Sequence, residues 1–454
     1  MSQPWFSLED VRGLDIRREL RRLDEYLEAS NSSIRPAHLK SGWNDGVIRI
    51  PLPCKGHTYA SESEAPFFEI EQFWYRRLTD IIRAEVLSSS FMQYWRIKPY
   101  KLMFEPDNGS PAKRVWGEAY TSDRALDLEE EIYLSTAQSA EDGLEIVPIY
   151  VMKWSDSTHL AEFGDASSWP IYVFFGNISK HICGRPTMYC AHHLAYICSL
   201  PDKIRDHYKE VYGQAPTDDV MTHLRRELFQ AVWRFLIEND PDLNTAYRSG
   251  LVLPCHDGRI RRFMIRFYTY GMDYPERCLA VCMKDNGTCL CARCLLNKAL
   301  VRWMGTNVDM HRRKELARVD STDWLSKVRE VRRLIFEEGL SVTSERVKKL
   351  LDPESLTATL NAFSEAFGEY GFNMFKLITN DILHESEVGE WKRIFTHLVR
   401  ILEAFDGSNS TGILNKRYRQ VPTFGHGTIR RFSNDVSAMR KLAGRDFEDM
   451  LLVR

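Results

Sequence analysis

Apolar residues recur at spacings of three and four along Leu8–Ser30 and again along Phe67–Ser88, the pattern of amphipathic helices. Between them, Pro36–Ala65 is rich in Pro, Gly, Ser and His and reads as an irregular connection. From residue 144 the period changes. LEIVPIYVMKW (144–154), WPIYVFFGN (169–177) and FMIRFYTY (263–270) are short apolar runs rich in β-branched and aromatic residues, and they predict strands. Leu279–Met283 is a candidate fourth. Helical spacing over Pro201–Tyr212 and Asp218–Glu238 separates the second run from the third. Strands interleaved with helices predict an α/β layer around a sheet. Beyond residue 300 the strand pattern fades, and helical spacing covers Ser321–Glu338, Ser344–Leu351, Leu356–Phe367 and Glu387–Phe405. There is no tandem repeat and no low-complexity tract. The last residues, Asp446–Arg454, form an amphipathic segment with no stop signal, so the reading frame is expected to end inside a structural unit.

Composition narrows the class. The chain has 454 residues, 44% hydrophobic and 27% charged, enough for two or three globular domains. Wholesale disorder, a coiled-coil rod and a collagen-like fibre are excluded. Lys and Arg (61) nearly balance Asp and Glu (63), so any nucleic-acid contact must come from local patches. No apolar run approaches the roughly 18–20 residues that span a bilayer, and Met1–Arg22 lacks the apolar stretch of a signal peptide. Cysteines crowd between Cys278 and Cys294, which suits metal binding in a reducing, intracellular compartment. Neither GxxxxGK[ST] nor GxGxxG occurs, so no nucleotide-cofactor site is visible, and there is no GxSxG elbow. Cys183 and Cys198 stand near His192 and His193 in sequence, which is no evidence for a thiol protease.

Four groups of residues can carry chemistry. Asp156 and Asp273 each close a predicted strand, where two carboxylates can be aimed at one metal ion; a simple turn role fits them equally. Cys291-x-x-Cys294 has the bite of two thiolates on one zinc, with Cys289 or Cys282 as a third ligand and His311 as a fourth. Buried free thiols are the alternative, above all for Cys278. Asp381 and His384 fall three apart, on one face of a helix, with Glu385, Glu387 and Glu390 close behind. There, a capping aspartate is the competing explanation. From Leu414 to Arg445, eight Lys and Arg outnumber one acid, Asp435. Lys416, Arg417, Arg419, Arg430, Arg431, Arg440 and Lys441 would track DNA phosphates, with Tyr418, Phe424 and Phe432 available for stacking on bases.

Taken in order, several fragments resemble the Plavaka-type transposases of fungal DNA elements, within the wider CACTA-like superfamily. They are WGEAYTSD (116–123), SDSTHLAEFGDASSWPIYVFFGNI (155–178), YGMDYPERCLAVC (270–282), CLCARCL (289–295), GFNMFKLITNDILHESEVGEWKRIFTHLVRIL (371–402) and LNKRYRQVPTFGHGTIRRFSNDVSAMRKLAGRDFEDML (414–451). The likeness covers roughly residues 95–454. It implies an α/β, RNase H-like core interrupted by a helical insertion, with a small zinc knuckle. By that resemblance Asp156 and Asp273 are the first two catalytic aspartates and hold Mg²⁺ or Mn²⁺. Asp381 and His384 match an Asp-x-x-His motif between the second aspartate and the final acidic residue, and Cys289, Cys291, Cys294 and Cys282 bind structural Zn²⁺. The implied divisions are an N-terminal mixed region (1–95), the first part of the core (96–288), the knuckle (278–311) and the insertion (312–454).

The function implied is a nuclear, DNA-binding protein of a cut-and-paste mobile element that acts on transposon ends. Self-association is a further expectation, and no membrane is involved. In the family the third acidic ligand follows the insertion. Glu387 and Glu390 lie too close to the Asp-x-x-His block to replace it, and Glu448 sits where the family sequence continues. The chain is therefore expected to keep zinc and DNA affinity without cutting strands. The alternative is a non-catalytic, zinc-containing DNA- or protein-binding module derived from a transposon; a helical scaffold with structural zinc ranks third.

Overall fold

The computed structural model describes residues 42–88, 92–136, 142–159, 167–425, 428–438 and 442–453. The predicted helix Leu8–Ser30, together with Arg440 and Lys441, lies outside them. The chain is mixed α/β, with many helices around one curled sheet. Its strands are β1 (Asn44–Pro51), β2 (Phe67–Tyr75), β3 (Glu145–Ser155), β4 (Pro170–Phe175), β5 (His192–Tyr196), β6 (Leu251–Pro254), β7 (Ile260–Gly271) and β8 (Ile378–Thr379). Across the sheet the order is β1-β2-β5-β4-β3-β7-β6, and β8 pairs with the far end of β7. The helices used below are α1 (Leu78–Leu87), α2 (Asp218–Glu238), α3 (Tyr274–Ala280), α4 (Thr322–Phe336), α5 (Ala362–Phe367) and α6 (Lys392–Arg419). Among the described residues, no helix is long and apolar enough to cross a membrane.

Direction of pairing decides what the sheet can present. β3 and β7 run parallel, from Glu145 beside Arg261 to Trp154 beside Gly271. β8 is parallel to β7, with Thr379 beside Gly271. β4 is antiparallel to β3, and β5 to β4. Val147 to Val151 of β3 are buried on both faces, as a central strand covered by helices requires. Asn177, wholly buried just past β4, accepts from Tyr150 N–H at 3.0 Å and donates to the Pro148 carbonyl at 2.8 Å, fixing the β3–β4 register.

The N-terminal part departs from its sequence reading. β1 occupies the stretch expected to be irregular, and Phe67–Ser88 divides into β2 and α1 rather than forming one helix. The cause is a bulge. Gly46 pairs with Phe73 but Ile48 pairs with Ile70, and Gln72 takes a positive φ of 61°. The extra residue moves the inward positions from Ile70 to Phe73, so a period of two imitates a helical spacing of three. Leu279–Met283 is not a strand either: α3 runs through Ala280, started by Asp273 as cap and Pro275 in the first turn. Leu356–Phe367 is helical only from Ala362, where Asn361 accepts from the N–H groups of Phe363 and Ser364.

The segment between β7 and β8 packs onto the sheet rather than standing apart. Phe363 of α5 puts its ring centroid 3.4 Å from Nζ of Lys153, which lies buried on β3 and is also ringed by Trp233, Phe267 and Tyr270. The ring faces favour an ammonium. Complete exclusion from water opposes it, and burial pulls the Lys153 amine well below its ordinary range. Arg332 of α4 reaches Glu62 ahead of β2 and Glu227 of α2, tying this segment to the N-terminal strand pair and to the main core. A smaller core, Phe395, Val399, Phe432, Val436, Phe447 and Met450, lies under α6.

Candidate functional site

Asp156 is the first residue after β3, and Asp273 and Asp381 each stand two residues beyond β7 and β8. Those strands are parallel neighbours, so all these carboxylates leave the same edge of the sheet. Burial pushes the Asp156 carboxyl up, the charges of Asp273 and Asp381 push it further, and His384 pulls it down. Asp381, together with Asp156 and Asp273, in turn acts on His384. The fold thus gathers Asp156, Asp273, Asp381 and His384 from positions more than two hundred residues apart.

Each of these residues also has a local role. Asp273 caps α3: its Oδ1 accepts from Glu276 N–H at 3.0 Å. Asp381, buried, accepts from Leu383 N–H at 2.9 Å through Oδ1 and hydrogen-bonds the His384 ring through Oδ2. That bond is the chief reason the His384 imidazole is held above its usual range. After it, Leu383–Trp391 forms a π-helix, a form often found where side chains are displaced for function. Glu385 on this helix pairs with Arg277 of α3, joining the Asp381 block to the Asp273 block.

Sequence reasoning passed over Glu276. It is buried at the foot of the aspartates, where Ser155 donates to its Oε1 and Trp169 Nε1–H to its Oε2 at 3.0 Å. Burial is the main cause that pushes its carboxyl up to about 7. The available signal was the spacing Asp273-x-x-Glu276, a helix-start pattern.

The cysteines divide. Cys291 is the residue whose sulfur accepts from Arg293 N–H at 3.3 Å, as happens in a tight CxxC turn. A hydrogen bond from Cys294 is the main cause that pulls the Cys291 thiol down to about 5. Cys289 is buried beside them, its thiol donating to the Leu295 carbonyl at 3.3 Å. Cys282 belongs to the main core, next to Asn361 Nδ2 at 3.9 Å, and burial drives its thiol up. Cys278 is likewise buried, pushed up to about 11. His311 is exposed and pairs with Glu315 at 3.1 Å. Among the described residues no group of three or more His, Cys, Asp or Glu closes round a metal ion.

The basic stretch is less uniform than its charge count. Lys416, Arg417 and Arg431 are exposed. Arg419 pairs with Asp435, and Arg430 with Asp446 at 3.1 Å and Asp449 at 2.8 Å. Two of these acids lie just beyond the window in which cations dominate. Tyr418 and Phe432 pack edge to face at 5.1 Å in the smaller core. Of the three aromatics expected to stack on bases, Phe424 is the exposed one, at 67%.

Comparison with known families decides the kinship: the family model described as Plavaka transposase matches residues 41–400. The chain belongs to the Plavaka transposase family. A search among curated proteins finds no match. The matched span takes in Asp156, Asp273, Asp381 and the cysteine turn.

Proposed function

We propose that this chain is the DNA-binding and strand-cleaving core of a transposase-like protein, built on an RNase H-like sheet and acting in the nucleus on transposon ends. The observation that carries this reading is the convergence of Asp156, Asp273 and Asp381 at the ends of three parallel strands. An antiparallel hairpin, β4 and β5, flanks the first of them. That strand order and those directions support the RNase H-like assignment.

A divalent ion fits the donor set. The charged form of Asp156, disfavoured by burial and by its acidic neighbours, would be relieved by a hard cation, and Mg²⁺ is usually held by only one or two carboxylates, with water and substrate phosphate completing its shell. Asp156 and Asp273 would hold it, with Asp381 beside them. Bound there, the ion would supply Lewis-acid polarisation of phosphate and activation of water or a 3′-hydroxyl. The chain's own residues do the positioning. The ends of β3 and β7 aim the carboxylates, the α3 cap orients Asp273, and His384 offsets the charge of Asp381 until phosphate arrives.

The sequence expectation that the chain does not cut rested on a missing third carboxylate; in the present proposal Asp381, which follows the strand parallel to β7, takes that place. One observation favours the rival, a non-catalytic module: Asp381 is engaged by His384, and no described group closes round a metal. A metal-dependent nicking assay separates the two.

Zinc at the cysteine turn is the second part of the proposal, with Cys289, Cys291 and Cys294 as ligands; Cys282, expected to join them, packs in the main core beside Asn361 instead. Purified protein should carry about one zinc per chain, and Cys291→Ser with Cys294→Ser should remove it. Elemental analysis that finds equal zinc in both proteins would exclude the site.

DNA contact through the basic stretch should follow its free cations. Replacing Lys416 and Arg417 with Ala should reduce the slope of log affinity against log salt by about 1.8, at about 0.9 per phosphate released. Arg430→Ala, which breaks bonds to Asp446 and Asp449, should change the slope much less. Equal slopes for the double variant and the parent would remove this segment from the interface.

A further inference from the structure

We infer that Glu276 is a positioning residue that clamps the strand ends bearing Asp156 and Asp273 into one arrangement. The inference rests on the metal-centre reading above. Glu276 touches both ends at once. Its backbone N–H donates to Asp273 Oδ1 at 3.0 Å, and its side chain takes the hydroxyl of Ser155, the residue immediately before Asp156. The grip is three-sided: Trp169 at the entrance to β4 donates to Oε2 at 3.0 Å, and the Tyr270 hydroxyl of β7 lies 3.4 Å from Oε1 and 2.7 Å from Ser155 Oγ.

A purely structural plug is a poor explanation. The side chain is only 5% exposed, and no ion pair to Glu276 is found among the described residues. Burying a carboxyl group without a cation is costly even when it is hydrogen-bonded, and this residue is bonded both to the one before Asp156 and to Asp273 itself. A breach of packing rules on this scale is expected where function fixes geometry. A planar group with two acceptors can hold Ser155 and Trp169 together, and its place in the first turn of α3 brings its own N–H to Asp273. The neighbour of one candidate ligand and the carboxylate of the other are thereby set by a single residue, as outer partners set metal ligands elsewhere.

The test uses the full chain and Mn²⁺ as probe, with calorimetric titration, nicking rate against Mg²⁺ concentration, and melting temperature as readouts. Glu276→Ala should weaken Mn²⁺ binding and slow nicking by about 10- to 100-fold. Glu276→Gln, which keeps an acceptor for Trp169 and a polar partner for Ser155, should recover most of both. Ser155→Ala should show a partial loss. A Glu276→Ala protein that melts lower but binds Mn²⁺ like the parent overturns the inference and leaves the metal centre standing. If Glu276→Ala does not fold, unchanged Mn²⁺ affinity in Ser155→Ala overturns it. A parent chain that neither binds Mn²⁺ nor nicks DNA overturns the proposed function, and this inference with it.

Discussion

Replacing Arg332 with Met is expected to lower stability by about 3–5 kcal/mol, because it leaves a buried carboxylate without its cation. Glu227 on α2 is 2% exposed, and both of its oxygens take hydrogen bonds from Arg332, at 2.5 and 3.1 Å. The same guanidinium also bonds Glu62 and the Ala358 carbonyl. Burial alone would raise the Glu227 carboxyl, yet Arg332, with His223, holds it below its usual range. A depressed carboxyl contributes stability that is present above its unfolded pKa of about 4.3 and is lost as pH falls through the folded value. The difference between parent and variant should therefore be full at pH 7 and shrink in acid. Glu62, partly solvated, tolerates the loss better. Removing Glu227 as well, with Arg332→Met and Glu227→Met together, should restore much of the stability. Thermal melts of the three proteins check this, and a single-variant loss under about 1 kcal/mol would show the network to be idle.

Asp156→Asn should reduce metal-dependent strand cleavage by on the order of 10³-fold, since several kcal/mol of transition-state charge stabilisation depend on the ligand it removes. Stability should move the other way. Asp156 is repelled by Asp273 and Asp381, so an uncharged amide of the same shape relieves the folded state and the melting temperature should hold or rise. Loss of activity together with a higher melting point is the mark of a site that sacrifices stability for chemistry. A variant that loses both would point instead to a structural aspartate.

Much of the sheet was legible because its central strands are buried on both faces and so appear as continuous apolar runs. The run 144–154 became β3, the run 263–270 lies within β7, and Asp218–Glu238 became α2 with the same limits. β8 is two residues long, too short for any period, so the return of the chain to the sheet just ahead of Asp381 could not be read. β2 was hidden by its bulge. Ion pairing was equally invisible: the acids that engage Arg430 lie on the helix Gly444–Leu452, outside the window that showed a basic run. Asp156 and Asp273 were singled out because strand ends and a family pattern coincide there, and the strands they follow are indeed parallel neighbours. Glu276 was missed because a helix-start pattern gives no hint of the three donors that tertiary packing brings to its side chain.

The most direct test is a supercoiled plasmid carrying the ends of the element that encodes this chain, incubated with the purified parent protein. If strand-end carboxylates form a metal-dependent cleavage centre, nicked circles should accumulate with Mg²⁺ or Mn²⁺. None should form in EDTA or with Asp273→Ala. A folded parent protein that binds the same plasmid and leaves it intact in both metals would contradict that claim.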